Sequence, residues 1–213
     1  MTAKPGLVVT PEPPDPFVPH AVSLPAGTVL YRVHSNRFGS TDFNPGPKGP
    51  GRFHFFGFPT VPVLYAASTE IAAVAETLLR DIPLSGGNLL YPVYGDRVLS
   101  ALYLLEDMNL AAFSGMGLRV LGVEARQLTD TPGENYPQTR KWAEAAHTAG
   151  FQGIEWMSRQ DNRDRAYVFF GDRVDTAQFG IVPGSGRIFA AGDDLDWLVN
   201  QCGAVNIEVL PPH

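Results

Sequence analysis

One cysteine, Cys202, stands in 213 residues. That excludes an intramolecular disulfide and fits a reducing compartment. Positive charge is also short, since 16 Lys and Arg against 22 Asp and Glu leave a net charge of −6 with neutral histidines. A chain with that balance has no sequence-independent grip on nucleic acid or on an anionic membrane, so an anionic ligand has to be held by a local arginine cluster. No uninterrupted apolar run approaches the ~18 residues of a spanning helix, and no basic stretch leads into an apolar segment at the N-terminus. The expected location is therefore cytoplasmic, with neither membrane nor direct nucleic-acid contact. The five histidines, at 20, 34, 54, 147 and 213, and the lone cysteine show no zinc-ligand spacing. A Walker loop, a full dinucleotide-binding glycine fingerprint on a strand, a nucleophile elbow, internal repeats and heptads are missing too. Neither a metal nor a bound cofactor is expected.

What is there is a globular composition, 44% hydrophobic and 18% charged, enough for a single sizeable core. Seven prolines between Pro5 and Pro25 make residues 1–27 an extended arm, with Phe17 and Val18 available to dock. The folded region is expected over residues 28–213. From Thr28 the chain alternates with period 2, which places Leu30, Arg32 and His34 on one face of a strand. A glycine- and proline-rich irregular stretch follows from Gly39 to Pro59, then a second strand over 61–67 with Val63, Tyr65 and Ala67 on one side. Ser68 is the expected N-cap of a helix of about three turns, whose apolar stripe runs through Ile71, Val74, Ala75, Leu78 and Leu79. Glu76 lies off that stripe beside the small residues Ala72 and Ala73. Short strands are expected over 101–105 and 119–123, a helix over 138–149 closed by Gly150, and strands over 151–157 and 166–170 joined by a polar turn. The late strands lack intervening helices, so the pattern predicts an α+β fold with a mixed, mainly antiparallel sheet and flanking helices.

The chemistry rests on isolated polar residues at the ends of these elements: Arg32 and His34, Arg52, Tyr65, Glu76, Ser158 and Arg159. Each has a plainer alternative. Arg32 and His34 could face solvent, Tyr65 could be a half-buried strand aromatic, Ser158 a strand-end cap, and Glu76 could pair on the surface with Arg80 at i+4. Their order favours a site. Arg32 and Arg52 bracket the glycine-rich stretch, and two guanidinium forks suit bidentate capture of phosphate oxygens. An aromatic offers a stacking face for a ring, and one glutamate can stabilise a developing cation.

Five fragments carry a resemblance: LYRVH with Arg32, GRF at 51–53 with Arg52, VLYAAST with Tyr65, AAVAETLL with Glu76, and GIEWMSR with Ser158. In this order, across residues 30–170, they resemble the RES domain family. The resemblance implies an ADP-ribosyltransferase-like fold and an NAD+-degrading toxin of a bacterial toxin–antitoxin pair. Such an enzyme would be an NAD+ phosphorylase, with inorganic phosphate as co-substrate, or an NAD+ glycohydrolase. It further implies that Arg32 and Arg52 hold the substrate phosphates, that Tyr65 packs at the nicotinamide-ribose end, that Glu76 is the catalytic carboxylate, and that Ser158 completes the pocket. His34 joins the set as the neighbour of Arg32 on the strand face, and Arg159 as the neighbour of Ser158. The implied partner is a helix-turn-helix antitoxin of the Xre type that covers the cleft. A binding module without turnover, a transferase that ADP-ribosylates a protein, and a homo-oligomer remain open at this stage.

Overall fold

The computed structural model describes residues 8–46, 49 and 51–212. In the first half of the chain are β1 (Ala21–Leu24), β2 (Val29–Ser35), β3 (Val63–Ala67), α1 (Glu70–Thr77), β4 (Gly87–Leu89), α2 (Tyr91–Tyr94), β5 (Arg97–Leu104) and β6 (Met108–Phe113). The second half holds α3 (Met116–Val120), α4 (Ala125–Leu128), α5 (Tyr136–Thr148), β7 (Gly153–Met157), β8 (Arg165–Phe170), β9 (Phe179–Ile181), β10 (Arg187–Ile188), α6 (Asp193–Gly203) and β11 (Ile207–Val209). The main sheet runs in the order β1-β6-β7-β8-β3-β2-β5-β10, with β9 also paired to β5. Within it β6 and β7 are parallel and the other pairs are antiparallel. This is the expected α+β architecture. Among the described residues no helix is long and apolar enough to cross a membrane.

Strand alternation sorts side chains to two faces, and that sorting decides where each polar residue ends up. On one face Leu30, Leu64, Ala66, Leu102, Tyr167 and Phe169 form a core beneath Val174 and Phe179. On the other, Val63, Tyr65, Val168 and Phe170 pack with Phe113, Trp142 and Trp156, while Tyr31, Val33 and Ala67 meet α1 and α6.

The helix that carries Glu76 lies on that second face. Its first turn is capped by Thr69, whose hydroxyl accepts the Ala72 amide hydrogen at 3.1 Å and donates to Asp164 at 2.8 Å. Ser68, the expected cap, instead accepts the Arg165 amide hydrogen at 2.9 Å and ties the strand end to β8. The buried stripe Ala72, Ala73, Val74 and Ala75 is small enough to bring the helix close to the sheet. The helix has 8 residues rather than three turns, because after Leu78 the chain turns toward Pro83.

Residues 119–123 do not form the expected strand. They belong to α3 and the turn after it, while β6 over 108–113 is a strand that local pattern did not announce. Gly115 at φ +49 and Gly117 explain the switch: a Cβ at 117 would stand 2.2 Å from the Ala112 carbonyl oxygen, so only glycine lets the helix start against the end of β6.

The proline-rich stretch from residue 8 is strapped along the molecule. Asn135 donates to the Val8 carbonyl at 3.1 Å and to the Thr10 hydroxyl at 3.0 Å, and the Trp142 indole donates to the Pro11 carbonyl at 2.8 Å. Phe17 stands edge-on to Phe113 and Trp142, and β1 then closes one edge of the sheet against β6. Val18 is exposed.

Candidate active site

Glu76 projects from the flank of α1 toward the turn between β7 and β8. One carboxylate oxygen accepts the Ser158 hydroxyl at 2.9 Å and the Arg159 amide hydrogen at 2.7 Å. The other faces an Arg52 Nη at 3.8 Å, with side-chain exposures of 6% for Arg52 and 16% for Glu76. At that burial the pair is shielded from bulk solvent, which strengthens its attraction over that of a surface pair. Arg80 is turned away and pairs with Asp81 at 3.3 Å. The plainer alternative, a Glu76 to Arg80 surface pair, is not formed.

Arg52 is delivered by a tight turn in which Gly51 and His54 form an isolated β-bridge. Three groups fix that turn. The Tyr65 hydroxyl accepts the Phe53 amide hydrogen at 3.2 Å, His54 Nδ1 lies 2.9 Å from the same hydroxyl, and the Thr139 hydroxyl of α5 donates to the Arg52 carbonyl. The Arg52 guanidinium donates to the Thr131 carbonyl at 3.4 Å and lies over the Tyr136 ring, 5.8 Å from its centroid. Among the described residues its Nε–H is buried without a partner, as is the Thr131 hydroxyl. Buried unpartnered polar groups cost free energy unless a ligand or ordered water takes them.

A second guanidinium arrives from the other side. Arg159 pairs with Asp130 at 2.6 Å and donates to the same Thr131 carbonyl at 3.3 Å. Two arginines thus converge on one carbonyl beside a half-buried glutamate, which suits a substrate that carries phosphate and develops a cation nearby. Burial raises the Tyr65 phenol well above its ordinary value, so the hydroxyl stays protonated. Burial and the cations Arg80 and Arg140 lower the His54 imidazole to about 4, so it is neutral at physiological pH.

Of the residues singled out from sequence, Arg52, Tyr65, Glu76, Ser158 and Arg159 come together here. Arg32 and His34 do not. They share the face of Leu30, across the sheet from α1, because the residues of β2 that face the helix are Tyr31 and Val33. Arg32 spends one Nη on the carbonyls of Ser40 and Asp42, both at 2.8 Å, and burial lowers its pKa to about 10 against the opposing pull of Asp42. His34 Nε2 bonds the Ser100 hydroxyl at 2.9 Å, and burial, then Arg32, depresses its pKa. The structure thus does not bring Arg32 beside Arg52: the arginine that meets Arg52, at the Thr131 carbonyl, is Arg159. A surface hollow of about 370 Å³ beside Asp42 and Phe43 also belongs to the Arg32 side and not to Glu76.

Five contributors escaped sequence reading: His54, Asp130, Thr131, Tyr136 and Thr139. His54 carried a signal, since it stands two residues from Arg52 in a glycine turn. Thr131 acts through its backbone carbonyl, which no side-chain pattern announces.

Known proteins can now be set beside this geometry. The family model described as the RES domain matches residues 29–190. No curated protein matches the sequence. Among solved structures, a chain of the crystal structure of the M. tuberculosis MbcT-MbcA toxin-antitoxin complex is similar with a TM-score of 0.56 at 12% identity, over 77% of this chain and 85% of that one.

Proposed function

This chain belongs to the RES domain family, and from that premise we propose that it is an enzyme that cleaves the nicotinamide N-glycosidic bond of NAD+. The observation that carries the reading is the half-buried Glu76 carboxylate held by Ser158 and the Arg159 amide, with the Arg52 guanidinium 3.8 Å from its second oxygen. In the reaction the bond from ribose C1′ to the pyridine nitrogen breaks and nicotinamide leaves as a neutral molecule with the bonding electrons. Positive charge develops on the ribose, and Glu76 stabilises it as an already oriented anion, which needs no metal. Arg52 and Arg159 exchange the Thr131 carbonyl for oxygens of the substrate pyrophosphate, and the unpartnered Arg52 Nε–H gives a further donor. Tyr65, packed edge-on to the buried Trp156 with ring centroids 5.9 Å apart, meets the nicotinamide-ribose end. An oxygen of inorganic phosphate or of water then bonds to C1′. The products are ADP-ribose phosphorylated at that same anomeric carbon from phosphorolysis, or ADP-ribose and a proton from hydrolysis.

The chain acts in this reading as the toxin of a toxin–antitoxin pair in the cytoplasm, neutralised by a helix-turn-helix antitoxin of the Xre type. Support for a protein partner comes from the similar fold having been solved as a toxin-antitoxin complex. Contact with DNA would fall to that partner rather than to this acidic chain.

Purified protein incubated with NAD+, with and without phosphate, is expected to release nicotinamide in at least one condition, and labelled phosphate in the product separates phosphorolysis from hydrolysis. Binding of NAD+ by calorimetry with no nicotinamide released over hours would instead leave a binding module, and label carried onto protein would indicate a transferase. Glu76→Gln keeps the shape of the site. It is expected to hold NAD+ affinity within a few-fold while kcat falls by roughly two orders of magnitude or more, because an interaction realised in the transition state raises rate and not binding.

A further inference from the structure

The Arg52 turn contains a ring that the reaction above does not use. His54 folds back over Gly51, where a Cβ would lie 1.8 Å from the imidazole Cε1, so the glycine is required for the ring to sit there. The ring packs edge-on against Tyr65 with centroids 5.2 Å apart. The Tyr65 oxygen already accepts the Phe53 amide hydrogen at 3.2 Å. Its own proton therefore points elsewhere, and His54 Nδ1 lies 2.9 Å away. A neutral imidazole offers one acceptor nitrogen and one donor. Taking the phenol proton on Nδ1 leaves Nε2–H as the donor.

We infer that His54 is a positioning residue for Arg52: its Nδ1 orients the Tyr65 hydroxyl, which grips the Phe53 amide and so fixes the turn from which the guanidinium reaches Glu76 and Thr131. Tyr65 is then the middle of a latch, joined to β3 on one side and to the turn on the other. The Arg52 carbonyl is held separately by Thr139 of α5, so loss of the latch loosens the turn at one end without releasing it. The inference rests on Arg52 being the substrate's anion-binding group.

The test uses His54→Leu, which removes the acceptor, His54→Asn, whose amide oxygen can stand where Nδ1 stood, and Tyr65→Phe. With NAD+ as substrate, His54→Leu and Tyr65→Phe are each expected to raise KM about tenfold with a much smaller change in kcat, and the double variant should be no worse than the poorer single, since both break one latch. His54→Asn should stay within about threefold of the parent. Additive losses, or an unchanged KM in folded His54→Leu, would overturn the proposal, as would His54→Asn behaving like His54→Leu at equal thermal midpoint. A readout free of substrate keeps this apart from the NAD+ reading: nitrogen NMR of the histidines in the ligand-free protein should show His54 as the Nε2–H tautomer, with the Nδ1 resonance moving in Tyr65→Phe. If it does and no variant turns over NAD+, the latch stands and the substrate assignment fails. An Nδ1–H tautomer indifferent to Tyr65→Phe would remove the latch whatever the activity.

Discussion

Arg32 and Arg159 show how far an arginine's role depends on what receives its N–H groups. Arg32 is 8% exposed and gives its donors to two backbone carbonyls, so its work is to hold the chain after β2 onto the sheet. Arg32→Met would leave the Ser40 and Asp42 carbonyls unpaired at a cost of about 1–3 kcal/mol, read as a lower urea midpoint, while KM for NAD+ in the remaining folded enzyme stays unchanged. Arg159→Ala is expected to do the reverse, raising KM with little loss of stability because its pair with Asp130 is half exposed. A raised KM in Arg32→Met would return Arg32 to the site. His54 adds a pH dependence whose sign follows from its depressed pKa of about 4. Between the unfolded value near 6.5 and 4 the unfolded chain binds a proton that the native protein refuses, so stability is full above the unfolded value and falls as pH drops through that window. One proton sets the slope at no more than about 1.4 kcal/mol per pH unit. The difference in unfolding free energy between parent and His54→Asn should therefore change between pH 6.5 and 4 and level off below. A difference independent of pH would deny that the buried neutral ring is the cause.

At the scale of elements, legibility followed how local the cause was. β2, β7 and β8 were readable because alternation and turn residues lie within each segment. The helix bearing Glu76 was readable in type but not in its ends, since the choice of Thr69 over Ser68 as cap depends on Asp164 and Arg165, nearly a hundred residues away. Residues 119–123 were misread as a strand because their helix depends on how Gly117 meets β6. Likewise Tyr65, Glu76 and Ser158 could be picked out by position, whereas Arg32 looked equivalent to Arg52 until β2 was seen to turn it to the far face. Thr69 also offers a clean test. Thr69→Ala removes both the cap of α1 and the bond to Asp164, and should cost about 1–2 kcal/mol. Because α1 carries Glu76, kcat should fall while NAD+ affinity, set by Arg52 and Arg159 on other elements, holds. Equal loss in both would mean that α1 positions the whole site.

At the scale of the whole molecule, a proline-rich arm that plugs the cleft and one that braces the fold make different demands on its contacts. The described part, from Val8 onward, accepts hydrogen bonds from Asn135, Trp142 and Ala112, and residues 1–7 lie outside it. These contacts fall on α5 with its N-cap residue and on β6, not on Glu76. The same α5 holds the Arg52 carbonyl through Thr139 and lays Tyr136 beneath the guanidinium, so the arm and the site share one helix as a support. Phe17 is the anchor, half-buried against Phe113 and Trp142. Phe17→Ala removes most of an aromatic side chain from that contact and should lower stability by about 1–3 kcal/mol, seen as a drop in thermal midpoint. Truncation through residue 17 should act in the same direction and further, because it also strips the bonds to Asn135 and Trp142. If the arm braces α5, both changes leave kcat for NAD+ equal or lower and KM equal or higher. If it plugs the cleft, truncation raises kcat/KM at an unchanged midpoint. Measuring midpoint and kcat/KM on the same two proteins separates these outcomes, since a brace moves the first downward and only a plug moves the second upward.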